Sequence, residues 1–212
     1  AEVLARTGQE IARLASALPA LLTEEGGWPF SHPSAAEGPR APWWDCSGPQ
    51  PASINPTGCI LALLWKNGID LTWMKRAEAF CWSTLDGLTP DQPHSLVNAM
   101  AFLSRVPDRP RARAARDAVG ALVRAATAMD PAAEGYVFSP VTFAPDPQAP
   151  AARFYSESEI ARHLDALAKG QQIYGGWAIN WPTTSPGVET ECRAIVTLRA
   201  LRSLRAYGRI AA

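Results

Sequence analysis

Gln171-Gln172-Ile173-Tyr174-Gly175-Gly176-Trp177 runs straight into Ala178-Ile179-Asn180-Trp181-Pro182 and separates two segments with helical periodicity. Paired glycines let a chain turn sharply at positive φ. The Trp brings a large flat apolar face with a single N–H donor, and Gln171 can cap neighbouring backbone groups. Together they suit the tight inner turn of a helical hairpin. A weaker copy stands near the other end, at Gly26-Gly27-Trp28-Pro29-Phe30, with Leu22 in the place of Gln171. Two related turns about 150 residues apart point to a chain built from repeated helical pairs.

Working outward, apolar residues recur at helical spacing nearly everywhere, and no stretch alternates long enough for a sheet. A first helix is expected over residues 2–22. Asn55-Pro56 reads as N-cap and first turn of a second, closed by Gly68. Asp70 reads as the cap of a third, with Met74, Ala77, Cys81 and Leu85 on one face. A fourth covers residues 94–106, and Asp108 caps a fifth over 110–129. Ser156 with Glu159 forms a capping box for a sixth that stops at Gly170, a suitable residue after a helix end. Ser185-Pro186 opens the last, which ends at Tyr207 with Leu198, Leu201 and Leu204 along it and Arg199, Arg202 and Arg205 towards water. Two long irregular segments, 24–53 and 131–155, are rich in aromatic residues and proline. Loops of that length usually carry function.

With 212 residues the chain can bury one substantial core, and a single domain over 1–212 is expected. The formal net charge is zero, which gives no electrostatic case for nucleic acid or an anionic membrane. No apolar run reaches the roughly 18 residues of a spanning helix, and the first residues lack a signal-peptide layout. Cys46, Cys59, Cys81 and Cys192 are widely spaced with no C-x-x-C pair, so a reduced, cytoplasmic protein is expected.

The Gln171, Gly175, Trp177 pattern resembles the QW motif of the squalene–hopene cyclase and prenyltransferase superfamily, most firmly over residues 156–209. The whole chain also looks like the short bacterial members of that group, through Gly27-Trp28-Pro29-Phe30, Ala41-Pro42-Trp43-Trp44 and Asn55-Pro56-Thr57. The resemblance implies an all-α, α/α-toroid-like array around an apolar cavity, incomplete at this length or completed by a second copy as a homodimer. The chain departs from the superfamily in chemistry. It has no Asp-x-Asp-Asp acid and no Asp-Asp-x-x-Asp magnesium motif, and Asp45-Cys46 are adjacent where zinc prenyltransferases space them. Asp45, Cys46 and His94 are the set a zinc site would use.

Eight Trp residues are many for this length, and aromatic faces stabilise cations. A cyclase or isomerase acting on a hydrophobic polyene, without an organic cofactor, would use Trp28, Trp43, Trp44, Tyr136, Phe154, Trp177 and Trp181 as walls. Asp45, beside two apolar rings, is the acid candidate, since desolvation raises a carboxyl pKa; an Asx-turn role fits it equally. Glu191, near the start of the last helix, and His163, in the stripe of Ile160, Leu164 and Leu167, are the base candidates. Packing wedges are the alternative for Trp28 and Trp177, and a satisfied core residue is the alternative for His163. A prenyltransferase would need a diphosphate site, for which Arg40, Arg153 and Arg193 are available. The rival to any enzyme is a non-catalytic protein that holds a lipid-like ligand or a partner.

Overall fold

The computed structural model of the chain describes residues 2–38, 40, 44 and 46–211. Its architecture is all-α: α1 (Glu2–Ala17), α2 (Ile54–Lys66), α3 (Met74–Thr84), α4 (Pro93–Arg105), α5 (Arg109–Ala126), α6 (Pro140–Phe143), α7 (Glu157–Lys169) and α8 (Pro186–Ala206). Among the described residues the only sheet is a two-residue antiparallel pair, β1 (Trp28–Pro29) with β2 (Ala52–Ser53), in which Trp28 faces Ser53. The chain divides into two compact units, Ala1–Leu122 and Val123–Ala212.

In the first unit, a 3₁₀ turn follows α1, and the chain then reverses at Gly26, whose φ of +99° only glycine adopts without strain. Two backbone bonds close the reversal: Thr23 N–H donates to Gly27 O at 2.9 Å and Gly26 N–H to Thr23 O at 3.1 Å. Trp28 pins it on both sides. Its indole Nε1 donates to Leu18 O at 3.1 Å, and its backbone N–H donates to Thr57 Oγ1 at 2.9 Å. Thr57 is fully buried and donates in turn to Ser53 O at 2.6 Å.

Asn55 has extended dihedrals (φ −98°, ψ 101°), so the regular turns of α2 begin at Pro56, as expected from the sequence. The Asn55 side chain does not cap them; its Oδ1 accepts from Asn98 Nδ2 of α4 at 3.1 Å. The cap is Ser53, whose hydroxyl accepts from Asn55 N–H at 3.2 Å. Gly58 lets α4 come close, since a Cβ there would stand 2.4 Å from Asn98 O. Around this contact Ile54, Leu61, Met74, Leu96, Phe102 and Leu103 form the core, with Trp82 edge-on to Phe102 at 5.0 Å. Asp70 does not cap α3. The preceding turn is closed by Met74 N–H to Leu71 O at 2.9 Å, and the helix starts at Met74.

The second unit repeats the hairpin. Gly175 takes φ +85°, Gln172 N–H donates to Gly176 O at 2.8 Å, and Gly175 N–H donates to Gln172 O at 2.8 Å. Trp177 Nε1 donates to Leu167 O at 2.7 Å, and Trp177 N–H donates to Thr197 Oγ1 at 3.1 Å. Gln171 caps the turn as its chemistry suggests, donating to Gly175 O at 2.8 Å. The second helices end alike as well. Gly68 (φ +73°) and Gly208 (φ +67°) follow them, and Ile69 N–H to Leu64 O at 3.0 Å matches Arg209 N–H to Leu204 O at 2.8 Å. The spacer differs, for the Thr lies 29 residues after Trp28 but 20 after Trp177.

The capping box of α7 is present, with Glu159 N–H on Ser156 Oγ and Glu159 Oε2 accepting from Ser156 N–H at 2.8 Å. As expected, α7 stops at Gly170, which caps it with right-handed dihedrals (φ −75°); the left-handed glycine of the turn is Gly175. Leu204 is buried, but Leu198 and Leu201 are exposed, which departs from an apolar stripe facing one core.

Candidate functional site

Of the aromatic walls expected from the sequence, Trp28 and Trp177 are buried turn posts. Trp181 is half-buried and lies edge-on to exposed Tyr136 at 5.4 Å, and Asn180 beside it donates to Gly135 O. Phe154 is half-buried with the Arg153 guanidinium 5.6 Å above its ring. Trp44 is exposed. Trp43 and Asp45 lie outside the described residues.

The base candidates separate. His163 is buried in α7 with Nε2 3.2 Å from Met129 O, to which it donates, and burial lowers its pKa more than that bond raises it. It is a satisfied core histidine. Glu191 is exposed on α8, and no hydrogen bond or ion pair joins it to His163. Arg193 pairs with Glu189 at 2.5 Å and stacks on Tyr174 at 5.7 Å, while Arg40 donates to Ala36 O at 3.4 Å. Among the described residues no group of three or more His, Cys, Asp or Glu could hold a metal, and no helix is long and apolar enough to cross a membrane.

A hollow that no motif announced lies within the first unit, between the end of α3 with its following turn and α5. It encloses about 460 Å³. Buried Trp82, Leu85, Leu88 and Val119 form its floor. Ala114, Ala115, Ala118 and Leu122 form a smooth wall, because three side chains at helical spacing on α5 stop at Cβ. Among the described residues that line it, only Arg111 and Asp86 carry charge. The Arg111 guanidinium lies 4.1 Å from the centre of the Trp82 ring, a cation–π contact. No ion pair joins Arg111 to Asp86. The sequence signal, in retrospect, is the run of small residues on one side of an Arg-rich helix, which reads equally as a solvated face.

A wider hollow of about 680 Å³ opens beside the first turn, lined by Leu21, Leu22, Glu24, Glu25, Pro29, His32 and the prolines Pro33, Pro49 and Pro51. Two of its polar side chains are already engaged. Glu25 accepts from Ala52 N–H at 2.7 Å and His32 Nδ1 from Ser34 N–H at 3.2 Å. Set beside known proteins, the chain matches no family model, no curated protein and no solved structure.

Proposed function

We propose that this chain is a binding protein for a single-chain amphiphile with an anionic head. The carrying observation is the groove of the first unit, where the Arg111 guanidinium lies over Trp82 at the end of an alanine-walled apolar trough. A volume of about 460 Å³ falls within the range of small-molecule sites. Carboxylates pair with guanidinium forks through two parallel bonds, and a methylene chain gains up to about 0.8 kcal/mol per CH₂ on leaving water. The toroid that the QW resemblance implies draws support from the recurrence of the hairpin at Trp28 and Trp177. The cyclase reading draws less, because His163 is satisfied within the core and Glu191 is exposed on another helix.

The test is isothermal titration of the full chain with decanoate, dodecanoate and tetradecanoate, and with dodecyltrimethylammonium. One-to-one binding should tighten with each added pair of methylenes, fail for the cationic amphiphile, and weaken about tenfold in Arg111→Gln. Affinity indifferent to chain length and to head charge would exclude the reading.

A further inference from the structure

Among the described residues of the second unit, one long face of α8 has no partner. Val188, Ile195, Leu198 and Leu201 are 40%, 50%, 58% and 38% exposed, and Glu191, Ala194, Arg202 and Arg205 are exposed on the same side of the helix. In the first hairpin the corresponding helix α2 is covered by α4 across Gly58, ten residues before Gly68. In α8 the residue eleven before Gly208 is Thr197, as Thr57 is before Gly68, so Leu198 stands where Gly58 does. A leucine there forbids the close approach that α4 makes to α2. The face is bulky and apolar, and suits side chains that interdigitate rather than backbones that touch.

Its sequence is self-complementary about Leu198. Three residues before it stands Ile195 and three after it Leu201; seven before it stands Glu191 and seven after it Arg205. Two copies of α8 crossing antiparallel at Leu198 therefore set Ile195 against the partner's Leu201. The same crossing sets Glu191 against the partner's Arg205, about 10 Å from the centre at 1.5 Å per residue. Neither Glu191 nor Arg205 has an ion-pair partner among the described residues. The opposite register, parallel and in step, would bring Glu191 onto Glu191 and Arg205 onto Arg205.

We propose that the α8 face is the seat of a second copy of this chain, in a two-fold antiparallel dimer with an apolar centre at Leu198 and a Glu191–Arg205 pair at each end. Such an interface is isologous, the commonest arrangement in homodimers. A single helix pair lies at the small end of specific interfaces, below about 1,200 Å², so the dimer is weak and forms in the micromolar range.

Sedimentation equilibrium of the full chain from about 5 to 500 μM reads this directly. The wild-type chain should pass from monomer to dimer across that range. Leu198→Asp should remove the dimer while leaving the far-ultraviolet circular dichroism unchanged, because Leu198 supports no core. Glu191→Arg and Arg205→Glu should each weaken it about tenfold, and the double substitution Glu191→Arg/Arg205→Glu should restore it. A monomer throughout would overturn the proposal and leave the face to a different protein. So would a dimer that Leu198→Asp leaves intact, or a double variant no better than either single one.

Discussion

Trp28 and Trp177 hold the same post in separate hairpins. Each indole N–H reaches back ten residues to a carbonyl at the end of the preceding helix, Leu18 O or Leu167 O, and each backbone N–H is taken by the hydroxyl of a Thr in the helix that follows. One residue, through its indole and its backbone N–H, thus ties together helix end, turn and returning helix. The two turns share no more than Gly-Gly-Trp in sequence, so the common geometry is set by that triplet and by the placement of Thr57 and Thr197.

Replacing the indole by a ring without a donor isolates the bond to the carbonyl. Trp177→Phe should cost about 1 kcal/mol for the lost bond, with a further loss for the smaller ring. Trp28→Phe should behave alike. Urea denaturation measures both; a variant as stable as the wild type would show that the indole N–H contributes nothing.

The two threonines should not be equally sensitive. Thr57 is fully buried, accepts from Trp28 and donates to Ser53 O, so Thr57→Val strands two backbone groups and should cost about 1–3 kcal/mol. Thr197 is half-buried, and Thr197→Val should cost about 0.5–1.5 kcal/mol. The same denaturation series decides the order.

Gly58→Ala probes the α2–α4 contact. Its Cβ would meet the Asn98 backbone at 2.4 Å, and backbone cannot rotate away as a long side chain can. Overpacking of this kind should cost about 1–3 kcal/mol, and a neutral result would mean that the helices separate freely.

Acid should act on the second unit in two stages. His163 has a folded pKa below its ordinary 6.5, chiefly through burial, so its neutral form contributes stability above that value and the contribution is lost as pH falls through the folded pKa. Glu159 is held at about 2, against an ordinary 4.5, first by its bond to Arg124 and then by the Ser156 N–H. Its contribution is present above 4.5 and is lost as pH falls towards 2. Tm measured against pH should therefore lose its upper step in His163→Gln and its lower step in Arg124→Gln; unchanged profiles would remove both groups from the account.

Much of this fold is visible in the sequence because its signals are local. Ser156 with Glu159, Ser185 before Pro186, and Asp108 accepting from Arg111 N–H at 3.1 Å are each contained within one helical turn. The turn at Gly175 is equally local, down to the Gln171 cap. What eluded the sequence depends on distant partners. The Asn55 side chain turns to Asn98, 43 residues on, instead of capping α2. Leu198 and Leu201 continue the periodicity of α8 and yet face outward, since periodicity marks a face without saying what covers it. The groove is harder still to read. Ala114, Ala115 and Ala118 look like ordinary helix formers until Leu85 and Leu88 are placed opposite them. The aromatic residues leave two readings open in the sequence, because a Trp that pins a turn and a Trp that lines a cavity are the same letter; Trp28 and Trp177 take the packing role.

The most direct test of the proposed binding activity is dodecanoate titration of Ala118→Trp beside the wild-type chain. Ala118 is exposed on the alanine wall of the groove, so an indole there fills the trough and disturbs no core contact. The wild type should bind one dodecanoate per chain, and Ala118→Trp should lose that binding while keeping its Tm. Equal binding by the two proteins, or none by the wild type, would contradict the assignment of the Trp82–Arg111 groove as a ligand site.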